Sequence, residues 1–148
     1  MAGWIQGWYT PKKPDKYLGD LSAIRYMSSW ELEFFEFCDN NPNIIKWASE
    51  EIPIQYYKPD PRTGNLVPSI YYPDIFLVLK DKNGKYHKHL IEIKPFKQSQ
   101  PSKAKKSSRR MQEQYTYIVN QHKWDAAEKW CKSKGIEFRV LTEKNQFF

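Results

Sequence analysis

Ile70-Tyr71-Tyr72-Pro73-Asp74-Ile75-Phe76-Leu77-Val78-Leu79-Lys80-Asp81, then Lys82-Asn83-Gly84, then Lys85 and Tyr86-His87-Lys88-His89-Leu90-Ile91-Glu92-Ile93-Lys94-Pro95, is the stretch that decides the fold. Two apolar runs flank turn chemistry, so residues 70–81 and 86–95 are expected to pair as an antiparallel hairpin. A two-residue turn at Asn83-Gly84 would set Asp74 opposite Ile93 and send the carboxylates to opposite faces. A three-residue loop of Lys82, Asn83 and Gly84 sets Asp74 opposite Glu92 instead. Such a loop needs a left-handed residue in its last place, where Gly84 stands. A bulge farther along is a second route to the same register.

Glu92 and Lys94 are two apart on a strand and share a face, while Ile91 and Ile93 point the other way, into a core. The polar pair is expected at a half-wet edge. Carboxylates directly opposite each other have Cβ atoms about 5 Å apart and repel. A hard divalent cation removes that cost, and oxygen-only ligands favour Mg2+, with Mn2+ as a substitute. Asp74, Glu92 and the Ile93 carbonyl are the expected ligands, completed by waters. Such a cation lowers the pKa of a bound water and neutralises charge on phosphorus-bound oxygens. Lys94 would orient that water or stabilise the transition state. The plainer alternative is also open: acid-x-Lys recurs by chance, Pro-Asp often starts a turn, and Lys94 also reads as a surface partner for Glu92.

Outward from the hairpin, residues 96–108 carry Lys97, Lys103, Lys105 and Lys106 and run into Arg109 and Arg110. These read as phosphate contacts along double-stranded DNA, or else as a solvated charge run. The whole chain of 148 residues has 24 Lys and Arg against 17 Asp and Glu, a net charge of +7. An acidic partner follows. No stretch approaches the roughly 18 apolar residues of a membrane span, so no membrane is expected. No small-molecule cofactor is expected either. One domain fits this length, with an aromatic-rich arm at 1–20, a catalytic core at 21–143 and a tail at 144–148. Cys38 and Cys131 lie far apart in amphipathic segments, without zinc spacing, and read as buried thiols. The first residues lack a signal-peptide pattern, and a reducing cytoplasm is expected.

Residues 28–40 read as a helix, with Trp30, Phe34, Phe37 and Cys38 at the helical period and Phe35 widening the stripe. Ser28 and Glu31 have capping-box spacing. Glu31 is therefore either a cap or a further metal or water ligand reaching toward the sheet. Short strands are expected at 44–48 and 51–57, a loop at 58–68, a helix at 109–134 with a break allowed near His122, and a last strand at 136–142. Gly135 suits a helix cap. His87 and His89 read as structural or rim residues, and Gln112, Gln114 and Tyr115 as within reach of the site or DNA. His122 is uninformative. Trp4, Trp8, Tyr9 and Tyr17 give the arm aromatics to pack on its own domain or on a partner. The order of elements is that of a mixed α/β domain.

Pro73-Asp74, Glu92-Ile93-Lys94 and Ser28-Ser29-Trp30-Glu31 resemble the PD-(D/E)xK, restriction-endonuclease-like nucleases. Over residues 25–143 the order is similar to the amino-terminal domain of transposon-encoded endonuclease subunits. That order is a helix glutamate, an aspartate, an acid-x-Lys strand, a helix, and a last strand ending near Thr142-Glu143. Met1-Ala2-Gly3-Trp4-Ile5-Gln6-Gly7-Trp8-Tyr9, Ile24-Arg25-Tyr26-Met27-Ser28-Ser29-Trp30-Glu31 and Trp47-Ala48-Ser49-Glu50-Glu51 resemble the head-completion nucleases of T-even-type tailed phages. The resemblance implies a mixed β-sheet flanked by helices and Mg2+-dependent hydrolysis of DNA, endo- or exonucleolytic, on packaged DNA before head–tail joining. It implies Glu31, Asp74, Glu92 and Lys94 as the catalytic set, and Glu31 as a metal ligand beside Asp74, Glu92 and Ile93. It also implies phage head or portal proteins as partners, in the host cytoplasm during assembly or at the virion's head–tail junction. Two rivals remain: a DNA-gripping head–tail adaptor without catalysis, and a junction resolvase of the same fold.

Overall fold

The structure, a computed structural model, describes residues 5–145. Along the chain run β1 (Gly7–Trp8), β2 (Arg25–Tyr26), α1 (Ser29–Asn40), β3 (Ile44–Ser49), β4 (Ile54–Pro59), β5 (Leu66–Tyr71), β6 (Ile75–Lys80), β7 (Tyr86–Ile93), α2 (Ser107–Lys134) and β8 (Ile136–Leu141). The central sheet has the order β3-β6-β7-β8. Its first three strands are antiparallel, and β8 joins parallel to β7 after the α2 crossover. This is the α/β arrangement of a mixed sheet flanked by helices.

The β6–β7 hairpin has the register that brings the acids together. Ile75 faces Ile91 and Lys80 faces Tyr86. Asp81 closes the loop through its N–H to the Lys85 carbonyl at 2.8 Å, and Gly84 takes φ 80°. The Asp81 carboxylate accepts the Asn83 and Lys85 N–H groups, each at 2.9 Å. Lys82, Asn83 and Gly84 form the three-residue loop, with the glycine in the left-handed place.

Residues 70–81 do not form one strand. Tyr72-Pro73-Asp74 interrupts them, and the buried Pro73 has no N–H to give a ladder. The part before the break, β5, pairs with β4 in a separate ribbon, from Ile54 opposite Tyr71 to Pro59 opposite Leu66. The expected loop at 58–68 shrinks accordingly to a tip closed by Asp60 N–H to the Asn65 carbonyl at 2.8 Å. The strand expected from residue 51 begins only at Ile54, after Pro53. The long helix starts at Ser107 and passes His122 without a break, and Gly135 ends it at φ 71°.

Two cores occupy the two faces of the sheet. On one, α1 and the arm cover it through Tyr17, Phe35, Cys38, Trp47, Leu77 and Ile91. On the other, α2 and the β4–β5 ribbon pack through Ile54, Tyr56, Tyr71, Leu90, Val119 and Cys131. Both cysteines are free and buried. The arm docks on its own domain. Asp39, fully buried on α1, accepts the Tyr9 hydroxyl at 2.7 Å and the Lys12 and Lys13 N–H groups at 2.6 and 3.0 Å. Lys16 Nζ donates to the carbonyls of Cys38, Asp39 and Asn41, filling acceptors that the end of α1 leaves open. Trp8 stays exposed under the Arg25 guanidinium. Trp4 and the tail beyond residue 145 lie outside the described residues. Among the described residues, no helix is long and apolar enough to cross a membrane.

Candidate active site

Strand alternation puts Leu90 and Glu92 on the α2 side of β7, and Ile91 on the α1 side. Glu92 is only 5% exposed, which corrects the half-wet edge expected for it. The cause is non-local: β7 is an inner strand, with β6 on one side and β8 on the other, and α2 covers the face. The Lys94 N–H continues the pairing to the Leu141 carbonyl at 2.9 Å. The Lys94 side chain is the half-open lip of the site, with Nζ 3.6 Å from Glu92 Oε2.

Asp74 sits just ahead of β6, and its side chain turns toward β7. Oδ2 accepts the Ile93 N–H at 2.7 Å. Burial raises its pKa well above the ordinary 3.8, and the Glu92 charge adds to the rise. The Ile93 N–H opposes this, while Glu31 and a hydrogen bond between the Asp74 and Glu92 carboxyls push further up. Asp74, Glu92 and Lys94 are thus brought together as the sequence predicted.

Glu31 has both of its expected characters in part. Its N–H donates to Ser28 Oγ at 3.1 Å, and its Oε1 accepts the Met27 N–H at 3.1 Å, so it caps α1. Its carboxyl also titrates high, from burial first and the Glu92 charge next among the raising causes, with Met27 and Lys94 opposing. It is electrostatically part of the site. Among the described residues, however, no three His, Cys, Asp or Glu side chains converge closely enough to hold a metal ion. The donor chemistry that fits a hard cation is the pair Asp74 and Glu92, two repelling carboxyls in a low-dielectric place beside the Ile93 backbone.

Sequence reasoning missed four residues here. Glu50, at the end of β3, takes φ 52°, a conformation that non-glycine residues rarely hold. Its N–H donates to the Asp74 carbonyl at 3.1 Å. Glu50 is exposed as a residue, yet protein around its carboxyl raises its pKa, and Glu31 and Glu92 add to this. Tyr71 is buried, its hydroxyl pushed to a higher pKa by burial and then by the Glu92 and Asp74 charges. Trp124 approaches the same hydroxyl from α2, although neither the Tyr71 hydroxyl nor the Trp124 N–H closes a well-formed hydrogen bond. Lys123, beside it in the chain, is half-buried, and burial followed by the Lys94 charge lowers its pKa. The findable signal was in α2: Lys123 and Trp124 follow one turn after the buried Val119 and Asn120.

The α2 residues singled out from sequence are held elsewhere. Gln114 accepts the Ser102 N–H at 2.6 Å and Tyr115 donates to the Pro59 carbonyl at 2.8 Å, while Gln112 is exposed. His87 pairs with Asp81 at 2.8 Å beside the hairpin loop, and the buried His89 stands 3.4 Å from Glu137. Both histidines are structural. Lys97, Lys103, Lys105, Lys106, Arg109 and Arg110 are all exposed. Lys97, Lys103 and Arg109 line a depression next to Phe96, whereas Arg110 lines a different one with Met111 and Tyr115. Arg109 is already engaged by Glu113 at 2.8 Å.

With this geometry in view, residues 41–143 match the family described as TnsA-like endonuclease N terminal. The chain belongs to the TnsA-like endonuclease family. Asp74, Glu92 and Lys94 fall within the matched region of this TnsA-like nuclease, and Glu31 falls before it. The TnsA-like chain is also 41% identical over 145 residues to the head completion nuclease of Enterobacteria phage T4, covering 93% of this chain and 90% of that protein. No solved structure matches it.

Proposed function

We propose that this TnsA-like nuclease is a Mg2+-dependent deoxyribonuclease of the PD-(D/E)xK type that acts on packaged double-stranded DNA during phage head completion. The observation that carries the chemistry is the hairpin register, which turns Asp74 onto the Ile93 amide and beside Glu92, with Lys94 at the lip. Asp74 and Glu92, with the Ile93 carbonyl, would hold the cation. When bound, Mg2+ supplies an activated water and neutralises charge on the phosphate. Lys94 gives its ammonium to the phosphate oxygen on which charge builds. Glu31 and Glu50 extend the negative field around the acids, and Glu31 orients water on that side. The exposed lysines from Lys97 to Lys106, with Arg110, bind the duplex through its phosphates without reading bases.

The biological setting is inferred from the relative named for head completion. Its counterpart here would meet DNA ends in filled heads within the host cytoplasm, beside head or portal proteins, and stay at the head–tail junction. The test uses purified protein, linear and circular duplex DNA, and Mg2+ or EDTA. Wild type should degrade DNA only with the cation, and Asp74→Ala should be inert while still folded. Equal behaviour of the two proteins would leave a non-catalytic DNA-gripping adaptor.

A further inference from the structure

Lys123 occupies an odd electrostatic position. It projects from the face of α2 that covers the acids, one residue before Trp124, with Nζ 5.5 Å from the centroid of the Tyr71 ring. Tyr71 in turn lies against Glu92. Lys94 and Lys58 repel the Lys123 charge, while Glu92 and Asp74 attract it. Among the described residues, no carboxylate stands within ion-pair distance of its ammonium.

A half-buried ammonium over the Tyr71 ring, within the field of the Lys94 charge and without a paired anion, loses hydration and gains repulsion. The Tyr71 face returns only part of this. An anion placed among Lys94 and Lys123 would relieve both costs. The two lysines reach the acid pair from different elements, Lys94 from the end of β7 and Lys123 from α2. Lys58, exposed on the β4–β5 ribbon, adds positive charge on the Lys123 side. A phosphodiester suits this pattern, because its two nonbridging oxygens accept from separate donors.

We propose that Lys123 binds the phosphate of the DNA strand held at the site, as a second ammonium opposite Lys94. The substrate in this inference rests on the nuclease reading above. A merely structural lysine, filling the space over Tyr71, would serve as well replaced by methionine, which keeps the apolar stem.

The test compares wild type, Lys123→Met and Lys123→Arg. Binding to a short fluorescent duplex is measured in EDTA over a salt series. Removing one ammonium–phosphate pair should reduce the slope of log K against log salt by about 0.9 in Lys123→Met, with Lys123→Arg keeping the wild-type slope. Single-turnover cleavage with Mg2+ should fall by about ten- to a hundredfold in Lys123→Met and recover partly in Lys123→Arg. An unchanged slope in Lys123→Met overturns the proposal, whatever the rate. If the slope falls but wild type does not cut DNA, the phosphate interaction stands and the nuclease reading is the one that fails.

Discussion

Asp74→Asn should make the cation-free protein more stable while destroying its activity. The asparagine keeps an oxygen for the Ile93 N–H, now at 2.7 Å from Asp74 Oδ2, and removes the charge that faces Glu92. For a cross-strand pair of carboxylates with Cβ atoms about 5 Å apart, repulsion at an effective dielectric of about 20 is about 3 kcal/mol. The proton that Asp74 keeps to higher pH already relieves part of that, leaving on the order of 1–2 kcal/mol to be gained near pH 8. For a chain of this size the melting temperature should rise by about 3–8 °C. The pH dependence has a definite sign. Native Asp74 keeps its proton to a higher pH than the unfolded chain, whose carboxyl titrates near 3.8. The stability due to that proton is therefore fully present below 3.8 and is lost as pH rises through the raised native value. The gap between variant and wild type should widen over that window. Adding Mg2+ should close it, because only wild type keeps both acids for the cation. Thermal melts in EDTA and in Mg2+, at several pH values, measure all of this. Equal melting of the two proteins in EDTA near pH 8, or an equal gain from Mg2+, would refute the reasoning.

Lys94→Met should lower single-turnover cleavage by at least about a hundredfold, the scale for losing one donor to a developing charge. Its side chain is only 24% exposed and pairs with the buried Glu92, so the melting temperature should also fall by about 2–6 °C as that carboxylate loses its counter-charge. Asp39→Ala removes the acceptor of three hydrogen bonds that tie the arm to α1, at a cost of about 2–4 kcal/mol in urea unfolding. Burial raises the Asp39 pKa, but the Tyr9, Lys12 and Lys13 bonds and the Lys16 charge outweigh it and hold the carboxyl low. That stabilisation is present above the unfolded value of 3.8 and is lost as pH falls through the lower native one, so the two proteins should converge in acid. Replacing Lys103, Lys105 and Lys106 together by alanine should flatten the salt dependence of DNA binding by about 0.9 for each phosphate no longer neutralised. Arg109→Ala alone should change it less, because Glu113 already occupies that guanidinium.

The hairpin itself was legible in the sequence because its turn is local, whereas its register was left open between a two-residue and a three-residue loop, since Gly84 at positive φ suits both. Helix α1 and its Ser28 cap were legible for the same reason, and so was Gly135 at the end of α2. Strand β5 was not. Pro68 masks it as a loop, and its outward residues Leu66, Val67 and Ile70 lack the burial that marks a core strand. A two-stranded ribbon tolerates that proline opposite Tyr57. The burial of Glu92 depends on β8, more than forty residues later, and no local pattern encodes it. Glu50 joins the acids through the antiparallel pairing that runs Ser49 beside Ile75, a tertiary relation. Lys123 and Trp124 stand in the middle of α2, away from the basic run that marks its start, and only the packing of the helix on the sheet brings them to the acids.

The strand bearing Glu92 and Lys94 has its outer neighbour in β8, which reaches the sheet only after the long α2 has crossed over it. Until Leu141 has joined the sheet, the strand that carries Glu92 is open along one edge and its carboxylate is not enclosed. Closing that edge and enclosing the carboxylate are therefore a single event, completed by β8.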